Sequence, residues 1–221
     1  NSRWVDVHEN KGKRSGAYSS GCYGTPPYML MNWQDNLENM FTLAHEAGHS
    51  MHSWFTRKNQ PYTYGDYTIF VAEVASTCNE ALLAHHLLSV EKSDDVRRYL
   101  INHQLEAFRT TFFRQTLFAE FEMIAHEAAE NGVALTADKL NEIFLDLNRK
   151  YYGDVVDDND AVKVEWARIP HFYNSFYVYK YATGISAATA LASQILSEGA
   201  PAVKRYVGFL SSGSSKYSID L

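Results

Sequence analysis

Cysteine is scarce in this chain: its 221 residues include only Cys22 and Cys78. The two are far apart and form no C-x-x-C pair, which argues against a disulfide framework and for a reducing compartment. Long apolar runs are missing as well. No stretch reaches the about 18 consecutive apolar residues that a membrane-crossing helix needs. The opening Asn1-Ser2-Arg3-Trp4-Val5-Asp6 has no apolar signal region. Positive charge is in deficit, and a formal net charge of -6 argues against nucleic acid as a partner. No internal repeat is visible. There is no initiator Met, and the chain stops at Ser218-Ile219-Asp220-Leu221, so both ends read as cut.

What is present supports a packed core: 46% of the residues are hydrophobic, in a chain long enough for one large or two small domains. Residues 8–27 are rich in Gly, Ser, Lys and Pro and read as loop. The bulky run Tyr28–Trp33 reads as a strand. Asp35 and Glu38 have capping-box spacing, and an apolar-periodic run follows, predicting a helix over 36–55. Gln60–Tyr67 reads as loop and 68–88 as a second helix. Ser93 caps a long third helix ending at Asn131-Gly132, and Thr136 opens a fourth that Gly153 ends. The acidic stretch Asp154–Asp160 reads as solvated loop. Pro170 opens a helix to Ser197, Pro201 opens a shorter one, and Ser211–Ser215 is a flexible linker or turn. The predicted fold is mostly α, with a small β element just before the first helix.

That first helix carries His45-Glu46-Ala47-Gly48-His49, an H-E-x-x-H motif. Residues at i and i+4 stand on one helix face, so the two imidazoles can bind one Zn²⁺. Glu46 projects beside the metal, where it can act as general base on metal-activated water and return the proton to the leaving amine. A catalytic zinc takes three protein ligands and keeps one position open. The pattern H-E-x-x-H-x-x-G-x-x-H fails, because His52 occupies the Gly position and Phe55 the last His position. His52 therefore belongs beside the site rather than on the metal. Glu73, in Phe70-Val71-Ala72-Glu73-Val74-Ala75-Ser76, is the better third ligand: a carboxylate amid apolar residues needs a partner, and a metal supplies one. Glu80 follows at i+7 and is a candidate to accept the free N–H of a ligand His, a surface carboxylate being the alternative.

His45–His49, Phe70–Ser76 and the tract His171-Phe172-Tyr173-Asn174-Ser175-Phe176-Tyr177-Val178-Tyr179-Lys180-Tyr181-Ala182-Thr183-Gly184 together resemble the oligoendopeptidase F group of thimet oligopeptidase-like zinc metallopeptidases. The opening Glu9–Tyr18 is similar to that family too, and the resemblance covers nearly the whole chain. It implies a cytoplasmic, zinc-dependent endopeptidase acting on short unstructured peptides, with one Zn²⁺ per chain. It implies His45, His49 and Glu73 as ligands, Glu46 as general base, and a multi-helix, zincin-type catalytic domain over residues 1–221. It also implies that an N-terminal helical region and a short C-terminal segment of the full family protein are missing here.

Peptide hydrolysis builds negative charge on the carbonyl oxygen, and donors near that oxygen stabilise the transition state. His171, Tyr177 and Tyr181 are candidates, the two tyrosines as an i,i+4 pair on a helix, with Tyr179 the alternative because the spacing leaves the helix phase open; the resemblance implies a His and tyrosines from this tract in that part. Aromatic packing is the competing use. An exposed edge of the strand Tyr28–Trp33 is a place where an extended peptide can pair, a role the resemblance implies, with a plain structural strand as the alternative. His8, His85, His86, His103 and His126 lack ligand spacing and read as structural or surface residues. A zinc carboxypeptidase and a peptide-binding module with structural zinc are the alternative functions.

Overall fold

The computed structural model describes residues 3–153 and 159–221. Most of them are helical, with one small sheet near the start of the chain. The strands are β1 (Val5–Asp6), β2 (Tyr18–Ser20) and β3 (Tyr28–Leu30). The helices are α1 (Leu37–Asn59), α2 (Val74–Val90), α3 (Asp94–Ala107), α4 (Arg114–Glu130), α5 (Ala137–Tyr152), α6 (Asp160–Lys163), α7 (Tyr179–Glu198) and α8 (Ala200–Leu210). No described helix is long and apolar enough to cross a membrane.

The chain divides into two compact units, Asn1–Asn102 with Gly184–Leu221, and His103–Thr183. In the first, the sheet has the order β1-β3-β2, parallel on one side of β3 and antiparallel on the other. The strand at Tyr28 is therefore central. The exposed edge expected for it is taken up on both sides, and the edges belong to β1 and β2. Both lie in segments with no strand signal of their own; they are extended because β3 pairs with them. Asn36, not Asp35, caps α1, its side chain accepting from the Asn39 N–H. α1 and α2 pack closely, and Gly48 makes this possible: a Cβ there would stand 2.5 Å from Ser76 Cα. The Asn79 amide also donates to the Ala44 carbonyl, fastening α2 to α1. Behind them Ala75, Cys78, Ala188, Ala192, Tyr206 and Leu210 form a core, and the Thr56 hydroxyl ties α1 to the Leu210 carbonyl at the end of α8. Cys78 is buried there and Cys22 is exposed; both are free.

In the second unit, α4 and α5 build a core from Leu117, Phe118, Phe121, Ile143, Phe144 and Leu147, closed by Val178. Thr136 caps α5 through the Lys139 N–H. The long third helix is interrupted: a π-helical segment, Phe108–Phe113, joins α3 to α4. The helix expected from Pro170 onward is also divided. A 3-10 turn covers Pro170–Tyr173, an irregular turn follows, and α7 starts at Tyr179. The break coincides with Phe176, whose φ of +57° lies in the left-handed region. Most of the acidic loop expected over 154–160 lies outside the described residues; Asn159 caps α6.

Candidate metal centre

α1 presents His45 and His49 one turn apart, with ring centroids 4.8 Å from each other. The close approach at Gly48 brings the start of α2 against them. Glu73 stands there as the residue preceding the first turn of α2, its backbone already in the right-handed region. Its Oε2 lies 3.3 Å from His45 Nε2 and 3.5 Å from His49 Nε2, and the two Nε2 atoms are 3.1 Å apart. Among the described residues, these are the one group of three or more His, Cys, Asp or Glu side chains whose ligand atoms converge, all within 4.8 Å. Ser76 Oγ lies 3.3 Å from Glu73 Oε2 and helps to fix it.

The donor set fits a zinc ion. Two imidazole nitrogens and one carboxylate oxygen are ordinary zinc ligands, and three of them leave a position open. Glu80 adds the outer support that such sites use: its Oε1 is 2.5 Å from His45 Nδ1. A proton held on Nδ1 by that carboxylate leaves the Nε2 lone pair for a metal. Burial opposes a charge on His45, but the Glu73 and Glu80 carboxylates outweigh it and push its pKa up to about 10. The pocket therefore favours positive charge at the place where the three donors meet.

Glu46 is 6% exposed, and its Oε2 has no hydrogen-bond partner among the described residues. Burial raises its pKa, His45 and His49 oppose the rise, and Glu73 adds to it. The Ser19 backbone on β2 favours the charged form. A carboxyl tuned upward beside two imidazoles suits proton transfer. His52 stands apart from the cluster. Its ring stacks on Tyr67 at 3.7 Å between centroids, and burial, with His49 adding to it, lowers its pKa to about 3. His8, His85 and His86 are exposed.

In the second unit, His171, Tyr177 and Tyr181 form one aromatic group. The ring centroids are 5.8 Å apart for His171–Tyr177, 6.3 Å for His171–Tyr181 and 5.9 Å for Tyr177–Tyr181. Tyr177 precedes α7 rather than lying on it, so the two tyrosines meet across the start of the helix. Both also pack against the core of this unit. Lys180, 4% exposed, donates to the Tyr177 hydroxyl oxygen at 2.8 Å and lies over both rings. Sequence reading passed over Lys180 and the buried Glu122, although each is a charge inside an apolar run, the same signal that singled out Glu73.

All 221 residues match peptidase family M3. The chain is 61% identical over 219 residues to oligopeptidase PepF of Bacillus subtilis, covering 99% of this chain and 33% of that protein. It is 52% identical to group B oligopeptidase PepB of Streptococcus agalactiae, covering 99% of this chain and 36% of that one. The crystal structure of oligoendopeptidase-F from Enterococcus faecium superposes with a TM-score of 0.69 at 47% identity, over 80% of this chain and 32% of that one. The chain thus spans about a third of the length of the curated relatives it matches. Because the match runs through both compact units and well beyond the H-E-x-x-H helix, the chain belongs to peptidase family M3.

Proposed function

We propose that this chain carries the catalytic centre of a zinc-dependent endopeptidase that hydrolyses internal bonds of short, unstructured peptides. The observation that supports this most is the convergence of His45, His49 and Glu73, with a Glu46 oxygen that is buried and has no hydrogen-bond partner among the described residues, its charge coupled to all three. His45 Nε2, His49 Nε2 and Glu73 would hold one Zn²⁺, and Glu80 fixes the His45 tautomer. When bound, the ion polarises a peptide carbonyl and acidifies water. Glu46 takes the proton of the attacking water and passes it to the leaving amine. Its raised pKa favours both halves of that transfer at neutral pH. His171, Tyr177 and Tyr181 serve as donors to the carbonyl oxygen as it gains charge. For Tyr177 the Lys180 contact supports this role: with a hydroxyl lone pair engaged by the ammonium, the phenolic proton is left to donate elsewhere.

A peptide added to the sheet would pair with an edge strand. Of the two, β2 bears Ser19, whose hydroxyl is 2.8 Å from that of Ser50 on α1 and whose backbone acts on Glu46. Residues 1–221 act in this reading as one catalytic domain, in the reducing cytoplasm, where Cys22 and Cys78 stay as free thiols. The experiment is metal analysis of the purified protein together with product analysis on a peptide blocked at both ends. Bound zinc with internal fragments supports the proposal. Stepwise loss of single residues, or a fourth protein ligand on the metal, overturns it.

A further inference from the structure

Phe176 has a φ of +57°, a conformation that bulky side chains rarely adopt. Nothing local calls for it: the position holds neither Gly nor Asn, the residues that enter this region readily. The grip comes from α4. Glu122 Oε1 accepts the Phe176 backbone N–H at 2.5 Å, and Glu122 is only 5% exposed. One helical turn further on, the His126 ring lies 4.6 Å from the Phe176 ring. α4 thus holds both the backbone and the side chain of this residue. The consequence falls on its neighbours. The turn at Phe176 stands between His171 and α7 and immediately precedes Tyr177, which meets the His171 ring and accepts from Lys180.

We propose that Glu122 is a positioning residue: its buried carboxylate holds the left-handed turn at Phe176 and thereby orients His171 and Tyr177. The functional meaning rests on the donor role given to that tract, but the clamp is measurable without any cleavage assay. The full chain would be compared with Glu122→Ala, Glu122→Gln, Phe176→Gly and the double variant Glu122→Ala with Phe176→Gly. Glycine at 176 removes the cost of the left-handed backbone, so the turn no longer needs holding.

In NMR spectra, Glu122→Ala is expected to shift the residue-176 amide proton upfield and weaken the contact between the His171 and Tyr177 rings. Glu122→Gln, whose amide oxygen still accepts, recovers most of both. Glu122→Ala lowers the melting temperature less when Phe176→Gly is present, because contacting residues couple. For peptide cleavage it lowers kcat about tenfold with KM changed less than about threefold, the pattern of lost orientation. An unmoved amide resonance, equal melting shifts in both backgrounds, or a displaced turn with unchanged kcat would each overturn the proposal. A parent chain that binds zinc but cleaves no peptide would sink the peptidase reading instead, and the resonance and melting cycle would still decide this one.

Discussion

A Cβ on Gly184 would stand 2.8 Å from the Cβ of Glu73, closer than two such atoms can approach. α7 passes over Glu73 with no space for a methyl group. Gly184→Ala must therefore push Glu73 off its place near His45 and His49. We expect zinc affinity to fall about tenfold or more, with a stability loss of about 1–3 kcal/mol for overpacking. Competition against a chromophoric chelator reads the affinity directly, and an unchanged value would contradict the packing argument.

Gly48→Ala should be the more damaging glycine change. Its added Cβ meets Ser76 Cα at 2.5 Å and the Ala75 carbonyl at 2.6 Å, backbone atoms that cannot rotate away. Either α2 moves off α1 or the chain unfolds earlier, at a cost of about 3 kcal/mol or more. Urea denaturation of the metal-free protein measures this apart from zinc binding. A loss below about 1 kcal/mol would show that the helices separate freely.

The 2.5 Å contact between Glu80 Oε1 and His45 Nδ1 gives a graded prediction. Glu80→Ala should weaken zinc binding about 10–100-fold, the usual effect of losing the partner of a ligand histidine. Glu80→Gln still accepts from Nδ1–H and should lose less. Equal losses in the two variants would mean that charge alone matters; no loss in either would remove Glu80 from the site.

How much of this was legible in sequence follows from the range of the forces involved. His45, Glu46 and His49 are set by helical periodicity alone, so their spacing was readable. Glu73 was readable because an acid among Phe70, Val71, Ala72 and Val74 demands a partner. The strands β1 and β2 were not, since two or three residues become extended through pairing with β3 rather than through their own preference. Nor was the break before α7. A run from Pro170 to Ser197 looks continuous until Glu122, 54 positions earlier, takes the Phe176 N–H. Asn36 replaced Asp35 as the cap of α1 within the boundary error of any such reading.

His52 makes stability depend on pH. Burial holds its folded pKa at about 3, against an ordinary value of 6.5. Between those values the unfolded chain binds the extra proton and the folded one does not, so stability falls as pH drops below 6.5. At pH 5 this one group should cost about 2 kcal/mol relative to pH 7. Urea midpoints at the two pH values, for the parent and for His52→Gln, isolate the effect. A slope with pH that His52→Gln leaves unchanged would assign the loss to other groups.

The central claim is that Glu46 moves the proton while His45, His49 and Glu73 hold the metal. Glu46→Gln separates the two roles, because the amide keeps the shape of the side chain but cannot take a proton. The measurement is zinc content and peptide cleavage on the same preparation of the full chain. The account predicts one zinc per chain and cleavage reduced by about 10²–10⁴-fold. Cleavage retained at the parent rate with zinc still bound would contradict it.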